Sequence, residues 1–137
     1  MYVQFDPTAF VADPELVKEL EARATPVDCT SQRILFEQDE PPVGLYIVHS
    51  GTATMSIATD GQTIMQVETG AGALLGLPGL IGNQPYSMTA TAQPGALVFF
   101  ISRDEFTALM TANPTLCLKI LQVLAAEVRT ARRALYE

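Results

Sequence analysis

Gly72, Gly76, Gly79 and Gly82 punctuate the segment GALLGLPGLIGNQPYSMTATA, residues 72–92. Glycine at such short intervals lets backbone approach a ligand closely, as a phosphate-binding loop requires. The side chains in the segment that could assist are the hydroxyls of Tyr86, Ser87 and Thr89. A monoanionic phosphodiester leaving water needs stronger donors, preferably a guanidinium that bonds it at two points. The chain offers none nearby, because it has no Lys or Arg from residue 34 to residue 102. Lys18, Arg23 and Arg33 precede that span, and Arg103, Lys119, Arg129, Arg132 and Arg133 follow it.

The other candidates for chemistry are sparse. His49 is the single histidine, placed at the end of an apolar run beside Ser50-Gly51, and reads as a strand-end residue. Glu37, Asp39 and Glu40 precede Pro41-Pro42 with no histidine close by, so they read as a solvated turn and not as a metal site. Cys29 and Cys117 are far apart in sequence and stand in no CxxC or histidine-rich context, which leaves them as free thiols. No Ser-His-Asp set, P-loop or HExxH motif is present. The expectation is a protein without catalytic residues, without a bound metal and without a cofactor.

The elements that must position the glycine segment are legible from local chemistry. Asp13-Pro14 followed by ELVKELEARA supplies an N-cap, a proline in the first helical turn and apolar Leu16, Val17 and Leu20 on one side. From Val27 to Ile101 the chain is a series of short runs rich in Val, Ile, Thr, Phe and Tyr, broken by Gly, Pro and Asp-Gly, which predicts strands. LYIVHS, TATMSIAT and QTIMQVE form a meander whose clearest hairpin turn is Asp60-Gly61. YSMTATA and ALVFFIS read as two further strands. Six to eight such strands suggest a sandwich, jelly roll or barrel.

Helix resumes at Ser102, an N-cap for RDEFTALMTA with Asp104 and Glu105 in the first turn, where the helix dipole favours them. Asn113-Pro114 then opens a long segment free of Gly and further Pro. In it Cys117, Leu121, Leu124, Val128, Ala131 and Leu135 recur at alternating spacings of four and three, a heptad seam. Leu116, Leu118, Ile120 and Val123 add a second apolar face. One face fits the chain's own strands and the seam fits a second copy, so a homodimer is expected.

This order of elements resembles the cyclic-nucleotide-binding domain family, the sensor halves of catabolite-activator-type regulators among them. RILFEQDEPPVGLYIVHSGTATM is similar to the family's opening strands through Leu35-Phe36, Asp39, Tyr46 and Ser50-Gly51. TGAGALLGLPGLIGNQPYSMTATA resembles its phosphate-binding cassette, and ISRDEFTALMTANP resembles the helix that leads into the dimer-forming one. The resemblance implies a mainly β fold, a jelly-roll (double-stranded β-helix) barrel at about residues 27–101 with a short N-terminal helix. C-terminal helices at about 102–137 would complete a single domain.

The candidate pocket that the resemblance implies is Gly76, Leu77, Tyr86, Ser87 and Thr89, and it departs from the family pattern. Leu77 stands where nucleotide-binding members carry the glutamate that accepts from the ribose hydroxyl. Tyr86 stands where they carry the arginine on the cyclic phosphate. Pro78 sits where a free amide is expected, and proline has no N–H to give. Losing a charge-assisted contact costs roughly 1.5–3 kcal/mol, and losing the ribose acceptor about 1–2 more. At ~1.4 kcal/mol per tenfold, affinity for cAMP or cGMP drops by about a hundredfold to several thousandfold. Two readings of the apolar segment stay open: a pocket filled by its own side chains, with Tyr86 or Leu77 in the nucleotide's place, or a pocket re-purposed for an apolar or aromatic effector.

Length and charge bound the rest. With 137 residues the chain suits one compact domain. A net charge of −7 argues against a surface that grips nucleic acid through Lys and Arg. Relatives that regulate transcription carry a DNA-binding domain after the long helix, where this sequence stops, so no direct nucleic-acid partner is expected. No apolar run approaches a membrane span, and the N-terminus lacks a signal-peptide pattern, so the expected location is cytoplasmic. A sensor or interaction module is the functional expectation, either a ligand-sensing regulator acting through another protein or a structural dimerisation module with no small-molecule ligand. A cupin-like enzyme is disfavoured because cupins need several metal-ligating histidines.

Overall fold

The computed structural model describes residues 5–136, with side chains through residue 133. Two four-stranded antiparallel sheets face each other. The first has the order β1-β8-β3-β6 and the second β2-β7-β4-β5. The strands are β1 Thr25–Val27, β2 Arg33–Phe36, β3 Gly44–Ser50, β4 Ala53–Thr59, β5 Gln62–Thr69, β6 Leu74–Leu75, β7 Thr89–Ala92 and β8 Leu97–Ser102. Four helices accompany them: α1 Pro14–Glu21, α2 Leu77–Gly82, α3 Arg103–Ala112 and α4 Pro114–Tyr136. A 3-10 turn, Pro7–Phe10, precedes α1.

Strand alternation in the first sheet makes two cores. On β3, Tyr46 and Val48 face the second sheet, while Leu45 and Ile47 face the helices. The inner core, between the sheets, holds Phe36, Met55, Leu75, Tyr86 and Met88. The outer core packs Leu16, Leu20, Phe106, Leu116, Ile120 and Val123 from the helices against the back of β3 and β8. Period-2 patterning of the strand therefore anchors four helices on one side of the sandwich.

Local signals set the boundaries. Asp60 and Gly61 both take positive φ, 53° and 77°, as a type I′ hairpin turn between β4 and β5 demands. Asp13 caps α1 through the Glu15 amide, and Ser102 caps α3 through the Glu105 amide. One strand is shorter than YSMTATA suggests: β7 begins at Thr89, because Tyr86 turns inward and ties its backbone to the Asp39–Glu40 turn. Leu118, placed by sequence on the packed face of α4, is 63% exposed and belongs to the outer surface instead.

Candidate functional site

The glycine segment forms β6, then α2, then an irregular return to β7. Gly76 begins α2 at φ 95°, in the left-handed region that favours glycine. A Cβ there would lie 2.8 Å from Cε1 of Tyr86, so glycine is needed both for the turn and for the ring packed beside it.

Tyr86 is the centre of the site. It is 2% exposed and stacks on Phe36 with ring centroids 3.9 Å apart. Its hydroxyl donates to the Gly44 carbonyl at 2.8 Å and accepts from the amides of Val43 and Gly44 at 3.0 and 3.3 Å. Its own backbone joins the preceding turn, with Asp39 N–H donating to Tyr86 C=O and Tyr86 N–H donating to Glu40 C=O. The phenol is thus fully engaged and unavailable to a ligand while these bonds persist.

A small cleft remains beside it, lined by Gly76, Pro78, Gly79, Tyr86, Ser87 and Met88 on the cassette side, by Phe36 and Met55 from the sandwich, and by Glu127 from α4. The cleft measures about 240 Å³ out to its open mouth, and only about 10 Å³ of it admits the centre of a water molecule. No Lys or Arg lines it among the described residues.

Of the five pocket residues expected from sequence, Gly76, Tyr86 and Ser87 meet at this cleft. Leu77 does not: it is fully buried in the outer core, because the turn at Gly76 returns the chain to the side that Leu74 faces. Leu77 thus packs away from the cleft, and Tyr86 is the side chain on its wall. Thr89 is also elsewhere, its hydroxyl accepting from the Gln38 amide at 2.9 Å at the start of β7.

Glu127 went unnoticed as a site residue. Its relative exposure is 9%, its Oε2 has no hydrogen-bond partner, and burial alone pushes its carboxyl up to about 8. The signal was available in the spacing. Leu116, Ile120, Val123, Glu127 and Thr130 are all buried and continue one face of α4, so the carboxylate interrupts an otherwise packed stripe. Thr130 accepts from the Asp6 amide at 2.9 Å, which fastens that end of α4 to the start of the 3-10 turn.

On the opposite side of α4, Leu121 and Val128 are 56% and 57% exposed. Leu124 and Ala131 are half-buried, and so is Cys117, whose thiol reaches the Met110 carbonyl at 3.5 Å. Leu135 lies outside the residues whose side chains are described. His49 is exposed, with Nδ1 2.8 Å from a carboxylate oxygen of Glu21 on α1. Arg103, the basic residue next to the strand region, does not reach the cleft; it bonds Asn83 at the end of α2 and the Pro42 carbonyl.

A helix-flanked antiparallel sandwich with a short helical cassette over one end is the architecture of a jelly-roll sensor domain. The cyclic nucleotide-binding domain model matches residues 26–113, and the chain belongs to that family. Among solved structures it is similar to the Thermus thermophilus catabolite activator protein, at 22% identity and TM-score 0.75, over 95% of this chain and 62% of that one. The chain thus spans less than two thirds of that protein's length. It is also similar to the N-terminal domain of a transcriptional regulator from Streptomyces coelicolor, at 23% identity and TM-score 0.66, covering 94% and 90% of the two chains. The sensor domain of the transcriptional regulator DNR from Pseudomonas aeruginosa gives 26% identity and TM-score 0.65 over 88% and 81%. A search of curated protein sequences finds no match.

Proposed function

We propose that the chain is a non-catalytic sensor or interaction module of the cyclic nucleotide-binding-like class that does not hold cAMP or cGMP with ordinary affinity. The observation that carries this reading is Tyr86, packed on Phe36 with its hydroxyl bonded to three backbone groups, in a cleft whose acidic group is Glu127. A cyclic phosphate entering there would meet a carboxyl group and no cation, and would have to displace a packed ring. Calorimetric titration with cAMP and with cGMP up to ~100 μM should give no saturable heat, whereas saturation in the low micromolar range would refute the reading.

The module pairs with a second copy through α4. Leu121 and Val128 stand in water on the single chain, and burying a Leu or Val side chain contributes roughly 1.5–3 kcal/mol. A two-fold parallel pair buries both residues of each chain, four side chains worth about 6–12 kcal/mol together, comparable to an association cost of about 4–15 kcal/mol. Light scattering should find a dimer at ~50 μM protein and a monomer for the Leu124→Glu, Val128→Glu double variant. A wild-type monomer, or a double variant that stays dimeric, would exclude this seam.

The remaining cleft favours a second reading, a ligand-sensing regulator that takes an effector in the modified cassette and acts through a partner protein.

A further inference from the structure

We propose that the cleft between the cassette and α4 is a receptor for a small primary ammonium ligand, whose NH3+ head pairs with the Glu127 carboxylate. The proposal rests on the reading above that the cassette is closed to anions.

Three observations converge on it. First, Glu127 lines the cleft, and its Oε2 is buried with no hydrogen-bond partner. A buried carboxylate is costly unless paired, and removal of a missing donor's deficit is what a ligand with N–H groups provides. Second, the rest of the lining carries no positive charge and is compatible with a cation. Phe36, Met55 and Met88 are apolar, Tyr86 has its hydroxyl committed, and Ser87 is a neutral hydroxyl at the mouth. Third, the cleft as a whole admits a group about the size of one water, about 10 Å³. An NH3+ head is of that size and brings three donors. A trimethylammonium or guanidinium head is too large for it, and the alkyl body of the ligand would lie outside the cleft, over exposed Pro78 and Ser87.

Protonation follows from the same geometry. Burial holds the Glu127 carboxyl neutral up to about pH 8, with no neighbouring charge contributing. Tyr86 is the other titratable group on the cleft wall. From the segment packed against this end of α4 comes Asp6, whose carboxyl is lowered by its bonds to Thr8 and, to a smaller degree, by Arg133. An arriving ammonium therefore converts the neutral acid to its anion, and one proton leaves for solvent per ligand bound. Affinity should rise with pH until the carboxyl is ionised without the ligand.

The test uses the full chain and n-butylammonium chloride as probe, with n-butanol, tetramethylammonium chloride and cAMP in parallel titrations. Saturable binding of butylammonium is expected, tighter by about tenfold or more at about pH 8 than at about pH 6. Its heat should vary with the ionisation enthalpy of the buffer, as proton release requires. Butanol and tetramethylammonium should not bind, and Glu127→Gln should weaken butylammonium by about tenfold or more. Silence from butylammonium at millimolar concentration, equal binding of butanol, or pH-independent affinity would overturn the ammonium site. The last two comparisons need no variant and stand even if Glu127→Gln folds poorly. Saturable cAMP binding would instead overturn the underlying reading of a cassette closed to anions, so the two failures are separable.

Discussion

Each face of α4 departs from the polarity expected of a helix lying on a sandwich in water. The inner face, continued by Leu116, Ile120 and Val123, takes a carboxyl group into the interior at Glu127. The outer face leaves Leu118, Leu121 and Val128 more than half exposed. A helix shaped only by packing on its own domain would have its charge outside and its leucines inside. On the reading proposed above, a small ligand answers the buried carboxyl on one side and a second copy of the helix answers the exposed leucines on the other.

The largest break in this comparison should come from the inner face. Ile120→Ala removes a side chain 3% exposed in the outer core, and cavity-forming changes of this kind cost about 2–5 kcal/mol. Chemical denaturation should show that loss, and a cost as small as that of an exposed position would mean that α4 does not dock as described.

Next comes the titration of Glu127. The folded carboxyl holds its proton more tightly than the unfolded one, which has the ordinary value of 4.5. This contribution to stability is complete below that value and is lost as pH climbs to about 8. Within the window the slope should approach about 1.4 kcal/mol per pH unit for one extra proton in the folded state. Glu127→Gln should flatten that part of a stability profile measured by denaturant melts, and an unchanged slope would place its origin elsewhere.

The smallest effect belongs to the outer face. Leu121→Glu, at a position 56% exposed, should change the stability of the single chain by no more than about 0.5 kcal/mol. Measurement at high dilution, where association is negligible, isolates this quantity. A loss comparable to that of Ile120→Ala would erase the distinction between the faces.

Much of the fold was legible because its signals are local. Asp60-Gly61, Asp13-Pro14, Ser102 and Asn113-Pro114 each declare a turn or a helix start within a few residues, and all four occur where their chemistry places them. The candidate site was less legible because its bonds are long-range. Tyr86 meets Val43 and Gly44 across more than forty residues, and no periodicity in the cassette reports that partnership. Leu77 and Tyr86 look equally apolar in sequence, yet a glycine at φ 95° sends Leu77 to the outer core while the ring turns inward. Glu127 is illegible for another reason: a glutamate in a helix ordinarily marks the solvated side, and here it lies on the packed one.

Tyr86 also governs how the site could open in time. Its hydroxyl and backbone together hold Val43, Gly44, Asp39 and Glu40, which stand on a separate stretch of chain from the cassette. A ligand that needs the volume of the ring cannot enter without releasing these attachments as a group. Access for a bulky molecule is then a latch and not a funnel: its rate of entry reaches a ceiling set by how often the ring lets go, however concentrated the molecule becomes.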